Sequence, residues 1–108
     1  MTEEKKVQSK LLHFLNINKP NCYAIKTIST NKNGVPDIIA CILGHFVAFE
    51  CKGLTNKTTK LQEFNLTEIE RARGTTFVVD PKNLQLVIQG IKLFILTHKN
   101  NNKGIKIK

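Results

Sequence analysis

The chain has 108 residues, with seventeen Lys and Arg against eight Asp and Glu, a formal net charge of +9. That length bounds one domain, and a composition of 41% hydrophobic and 23% charged residues suits a chain that buries a modest core, which excludes a disordered basic tail. No apolar run approaches the roughly 18 residues that cross a bilayer, and the start Thr2-Glu3-Glu4-Lys5-Lys6 is not a signal peptide, so a cytoplasmic protein without a membrane partner is expected.

In chain order, Val7, Leu11, Phe14 and Leu15 recur at helical spacing behind Thr2 as N-cap, and this first helix ends before Pro20. Residues 22–28 carry Tyr23, Ile25, Thr27 and Ile28, the β-branched and aromatic content of a strand, and residues 29–34 form a loop. Residues 35–43 and 46–52 are two apolar runs separated by Gly44-His45, which reads as a hairpin with a two-residue turn. After a polar loop over 53–59, residues 60–73 are helical, with Gly74 at the C-terminal cap position. Residues 75–79 are a short strand stopped by Pro81. Residues 83–96 begin as a helix, while 92–97 fit a helix or a strand. The order helix, three strands, helix, strand, helix indicates an α/β sheet covered by helices.

Cys22, Cys41 and Cys51 are odd in number, lie inside apolar runs and lack the paired spacing of a zinc site, so they read as reduced, buried side chains. The positive excess comes from fifteen Lys and only Arg71 and Arg73. It points to a polyanionic partner, because each phosphate neutralised releases counterions; solubility is the competing explanation.

The stretch that carries chemistry is Gly34-Val35-Pro36-Asp37 followed, after twelve intervening residues, by Glu50-Cys51-Lys52. A hairpin centred on Gly44-His45 pairs positions whose numbers add to 89, which sets Asp37 opposite Lys52 and Ile39 opposite Glu50. Directly paired residues share a face, so Asp37, Glu50 and Lys52 project from one face, provided the turn has an even number of residues. Two carboxylates are hard oxygen ligands for Mg or Mn, and the backbone carbonyl of Cys51 offers a third oxygen. Lys52 would orient water or stabilise developing charge, and the set suits phosphodiester hydrolysis. The plainer alternative is a cross-strand ion pair. Three charges inside Ile38-Ile39-Ala40-Cys41-Ile42-Leu43 and Phe46-Val47-Ala48-Phe49 need compensation, and that favours a metal.

These motifs resemble the PD-(D/E)XK nuclease superfamily and, within it, the VRR-NUC family of small phage and bacterial nucleases. The resemblance runs from the helix near Glu4 through Asn33-Gly34-Val35-Pro36-Asp37 and Phe46-Val47-Ala48-Phe49-Glu50-Cys51-Lys52 to Lys60-Leu61-Gln62 and Gly74. It implies a restriction-endonuclease-like core with a central mixed sheet flanked by helices. It also implies a metal-dependent nuclease, with Asp37, Glu50 and Lys52 as the metal-binding and catalytic set. A glutamate of the first helix, Glu4 in preference to Glu3, would join the metal site, and Gln62 would contribute to it. Both have ordinary readings as well: first-turn acids favour the helix dipole, and Thr59-x-x-Gln62 is a capping box. The resemblance further implies endonucleolytic cleavage of branched or flapped DNA by a homodimer in a bacterial or phage-infected cell, with no organic cofactor.

Lys26, Lys32, Lys57 and Lys60 flank the motif residues in sequence and are candidates for nucleic-acid contact, each weighed against a solvated surface lysine. With one tyrosine and no tryptophan, base stacking is not the main binding mode. Two other functions compete: a nucleic-acid-binding module of the same fold that does not cleave, and a nuclease acting on RNA. The tail over 99–108 reads either as a phosphate-contacting arm or as a closing strand through Ile105 and Ile107.

Overall fold

A computed structural model describes every residue except Ser29, 101–103 and 105–108, so the expectations for Ile105 and Ile107 lie outside the described residues. Helix α1 spans Glu3–Ile17, strand β1 Cys22–Lys26, β2 Ile38–Ile42, β3 His45–Cys51, helix α2 Lys60–Arg71, β4 Thr75–Val79 and α3 Leu84–His98. The strands form one mixed sheet in the order β1-β2-β3-β4. The β1–β2 and β2–β3 pairs are antiparallel, while β3 and β4 run parallel because α2 crosses between them.

Strand alternation sorts the sheet into two faces. Ile38, Ala40, Ile42, Val47, Phe49, Cys51 and Val79 point to one face, where Val7, Leu11, Phe14 and Leu15 of α1 and Val87, Ile88, Ile91 and Ile95 of α3 close over them into one core. The other face is half covered. There α2 lies beside Ile39 and Phe46 through Ile69 and Ala72, while Tyr23 and Ile25 of β1 stay exposed. Cys22 and Cys51 are buried as expected, but Cys41 is exposed: its odd place in β2 turns it toward the uncovered half.

The segment over 92–97 resolves as helix, since Ile91 and Ile95 of α3 both reach the core. Helix α2 ends two residues earlier than expected, and the residue in the left-handed region is Arg73 (φ 73°), not Gly74. The N–H of Arg73 donates to the Glu70 carbonyl and that of Gly74 to the Ile69 carbonyl, both at 2.9 Å, a Schellman closure with Arg73 in the place where glycine is usual. Gly74 is needed for a different reason: a Cβ there would stand 2.7 Å from Cγ2 of Ile69.

The hairpin tip also differs from expectation. Leu43 (φ 48°) and Gly44 (φ 87°) form the two-residue turn, with positive φ at both positions as a type I′ turn requires. Ile42 therefore pairs with His45 and Ile38 with Phe49, so partners' numbers add to 87 instead of 89. Both sums are odd, and the set of residues on each face is unchanged.

Candidate active site

Asp37 precedes the first residue of β2. Its carbonyl accepts the Thr27 N–H at 2.8 Å, which carries the β1–β2 pairing one step past Lys26 and Ile38. Continuing the β2–β3 register by one step sets Asp37 across from Glu50 rather than Lys52, and Oδ2 of Asp37 accepts the Cys51 N–H at 2.8 Å. In an extended strand a residue's N–H and C=O point to the same side. The Cys51 carbonyl is thus aimed at the Asp37 side of the strand, away from β4, to which the Lys52 N–H donates through the Val79 carbonyl at 2.8 Å. The Cys51 thiol faces the core, where burial pushes it up to about 12, with Asp37 adding to the effect, so the atom of Cys51 on the Asp37 side is its backbone carbonyl.

Glu50 and Lys52 are both buried, at 2% and 7% exposure. The Lys52 ammonium lies 3.3 Å from Oε2 of Glu50 and donates to Oε1 of Gln62 at 2.8 Å. Oε1 of Glu50 is closed to solvent and has no partner among the described residues. Burial, and then the neighbouring Asp37 charge, push the Glu50 carboxyl up to about 7 despite Lys52. Burial likewise raises Asp37, against the lowering effect of its bond to the Cys51 amide. The Glu4 charge adds to the rise of both carboxyls, and its backbone lies close to the end of β3, since a Cβ on Gly53 would stand 3.7 Å from the Glu4 nitrogen. Glu3 instead pairs with Lys6 at 3.8 Å on the exposed side of α1.

Gln62 serves two purposes at once. Its Oε1 accepts the Thr59 N–H at 2.9 Å while Thr59 Oγ1 accepts the Gln62 N–H at 3.1 Å, completing the capping box of α2, and the same Oε1 anchors Lys52. Gln62→Ala is expected to lower stability by about 1 kcal/mol through the lost cap and further by leaving the buried Lys52 ammonium without this acceptor. Thr59→Ala carries the cap penalty alone. Thermal melts of the two variants separate the two effects.

The lysines predicted to contact nucleic acid do not converge as a group. Lys26 shares a cleft of about 150 Å³ with Lys5, Gln8 and Ile38, beside the Asp37 end of β2. Lys32 lines a separate, larger groove against α2, and Lys57 and Lys60 are exposed on either side of the α2 cap. Two residues escaped the sequence reading. Asn56 donates from Nδ2 to Oε1 of Glu4 at 2.8 Å, across 52 positions of sequence that no local pattern links. Gln8, one turn after Glu4, is buried with its Oε1 unpartnered; an amide on an apolar helix stripe was the available signal.

Among the described residues no three His, Cys, Asp or Glu side chains are arranged to enclose a metal ion by themselves. Magnesium does not need such a cage, since it is commonly held by one or two carboxylates with water and a substrate phosphate completing its shell. The orphaned oxygen of Glu50 and the adjacent Asp37 fit that mode. No family model matches the chain, and no curated protein matches its sequence.

Proposed function

We propose that the protein is a metal-dependent nuclease of the PD-(D/E)XK type, close in kind to the VRR-NUC family, that hydrolyses phosphodiester bonds in DNA. One observation carries the reading: a buried glutamate with an unpartnered oxygen, an aspartate across the hairpin and a buried lysine share one face of the sheet. Stability alone gives no reason to bury this set, because it costs desolvation that an apolar trio would avoid. The mixed sheet with helices on both faces is compatible with the restriction-endonuclease-like core. No helix among the described residues is long and apolar enough to cross a membrane.

Asp37 and Glu50 would hold Mg or Mn, with Glu4 adding charge and the Cys51 carbonyl a third oxygen. The ion, when bound, supplies Lewis acidity toward water and the phosphate. The protein's own contribution centres on Lys52. An ammonium has three donors; Gln62 and Glu50 engage two of them, which fixes the nitrogen and leaves one for the attacking water or a phosphate oxygen. Because the side chain is already immobilised, little entropy remains to be lost when substrate arrives.

The test is cleavage of linear, nicked, flapped and four-way-junction DNA, and of RNA, with Mg, Mn or chelator. Asp37→Ala is expected to bring cleavage to background, as does chelator. Cleavage that survives either overturns the reading. Binding without cleavage under every metal would establish the non-catalytic module instead, and preference for RNA would change the substrate.

A further inference from the structure

We propose that Asn56 is a positioning residue that fixes the Glu4 carboxylate at the edge of the Asp37–Glu50 pair, so that the Glu4 charge raises the affinity of that pair for a divalent cation. This inference rests on the metal-dependent reading above. Glu4 is in the first turn of α1, and the chain leaving β3 passes under that turn: a Cβ on Gly53 would lie 3.5 Å from Cβ of Glu3 and 3.7 Å from the Glu4 nitrogen. Three residues on, Asn56 turns back over this crossing. The Gly53 N–H donates to its Oδ1 at 2.6 Å, and its Nδ2 donates to Oε1 of Glu4 at 2.8 Å.

The two bonds fix the amide's orientation. In the flipped form Nδ2 would face the Gly53 N–H and Oδ1 would face the carboxylate, so both contacts would become repulsive. Asn56 is thus clamped by the loop before it engages Glu4. The bond takes up one carboxylate oxygen of Glu4 and restrains a side chain with three rotatable bonds, leaving Oε2 to point elsewhere. The same loop ends at Thr59, whose cap partner Gln62 holds Lys52. The connection over 53–59 therefore supplies one amide to an acid and delivers another to the ammonium.

Outer partners of ligating carboxylates cost 10–100-fold in metal affinity when removed. A merely structural Asn56 would exact its penalty whether or not Glu4 is present. The experiment is calorimetric titration of the full chain with Mn²⁺ for wild type, Glu4→Ala, Asn56→Ala, the double variant and, as a check on the underlying reading, Asp37→Ala and Glu50→Ala. Asn56→Ala is expected to weaken Mn²⁺ binding about tenfold and to add nothing in the Glu4→Ala background. Unchanged affinity in Asn56→Ala, or an equal loss in both backgrounds, overturns the proposal while the Asp37 and Glu50 variants still lose metal. Wild-type affinity in the Asp37 and Glu50 variants would instead remove the metal reading, and the role of Asn56 with it. A loss of folding in Asn56→Ala shows up as an equal loss in both backgrounds, so it too counts against the proposal.

Discussion

Lys52→Ala is expected to slow phosphodiester cleavage by about 10²–10³-fold, the usual cost of removing one preorganised donor, while binding Mn²⁺ at least as tightly as the wild type. The ammonium is 3.3 Å from Glu50, so it opposes a cation held by that carboxylate, and its removal relieves the repulsion. Asp37→Ala should do the reverse, losing metal and activity together. The two variants thereby separate holding the ion from assisting the chemistry, and turnover at saturating Mn²⁺ beside a binding isotherm reads both. Lys52→Ala with full turnover would remove Lys52 from the mechanism. Lys52→Arg is not a conservative rescue, because a planar guanidinium cannot place one nitrogen between Gln62 and Glu50 as the ammonium does.

The second large effect concerns the metal-free protein. Glu50 has its carboxyl raised from 4.5 to about 7 in the fold, so the folded chain binds this proton more tightly than the unfolded chain. The resulting stability is fully present below about pH 4.5 and is lost as pH rises through about 7. Glu50→Gln removes that slope. The variant should match the wild type near pH 4 and exceed it by about 3 kcal/mol at pH 8, measured by denaturant unfolding in chelator. A divalent ion reverses the ranking at pH 8, since it stabilises the ionised wild-type carboxylate and finds no such partner in the variant. Equal stability of the two proteins at pH 8 in chelator would mean that the buried carboxylate carries no cost.

The legible part of the fold was the part encoded by local pattern. Thr2 caps α1, Thr59 and Gln62 cap α2, and the apolar period over Val7, Leu11, Phe14 and Leu15 marks the face that meets the sheet. The hairpin tip was misplaced by one residue because glycine suits either position of a tight turn, and a leucine with positive φ is not what a sequence suggests. Tertiary contacts decide it: the Leu43 N–H donates to the Asn21 carbonyl at 2.9 Å and its half-buried side chain packs on the core. Arg73 in the left-handed region has the same kind of origin. Its neighbour Gly74 is claimed by the close approach of Ile69, and the left-handed position falls one residue before Gly74.

For the candidate site, Asp37, Glu50 and Lys52 were readable because strand alternation converts spacing directly into a shared face. Glu4 over Glu3 was a weaker inference from spacing; the structure separates them by partner, Asn56 for one and Lys6 for the other. Asn56 was invisible, since its partner is 52 residues away and a single asparagine in a polar loop carries no message. Cys41 was misjudged because an apolar neighbourhood in sequence does not say which of a sheet's two faces is covered.

The two-residue turn at Leu43 and Gly44 fixes more than a shared face. An odd sum of paired positions keeps Asp37, Glu50 and Lys52 on one side of the sheet, but the observed register also sets Asp37 directly across from Glu50, where its Oδ2 accepts the Cys51 N–H at 2.8 Å. One residue added to the tip would turn Asp37 to the opposite face. A register offset of two would keep the face and yet carry Asp37 about 7 Å along the strand from its partner. The length of a tight turn thus acts as the ruler for the proposed chemistry at the far end of the hairpin.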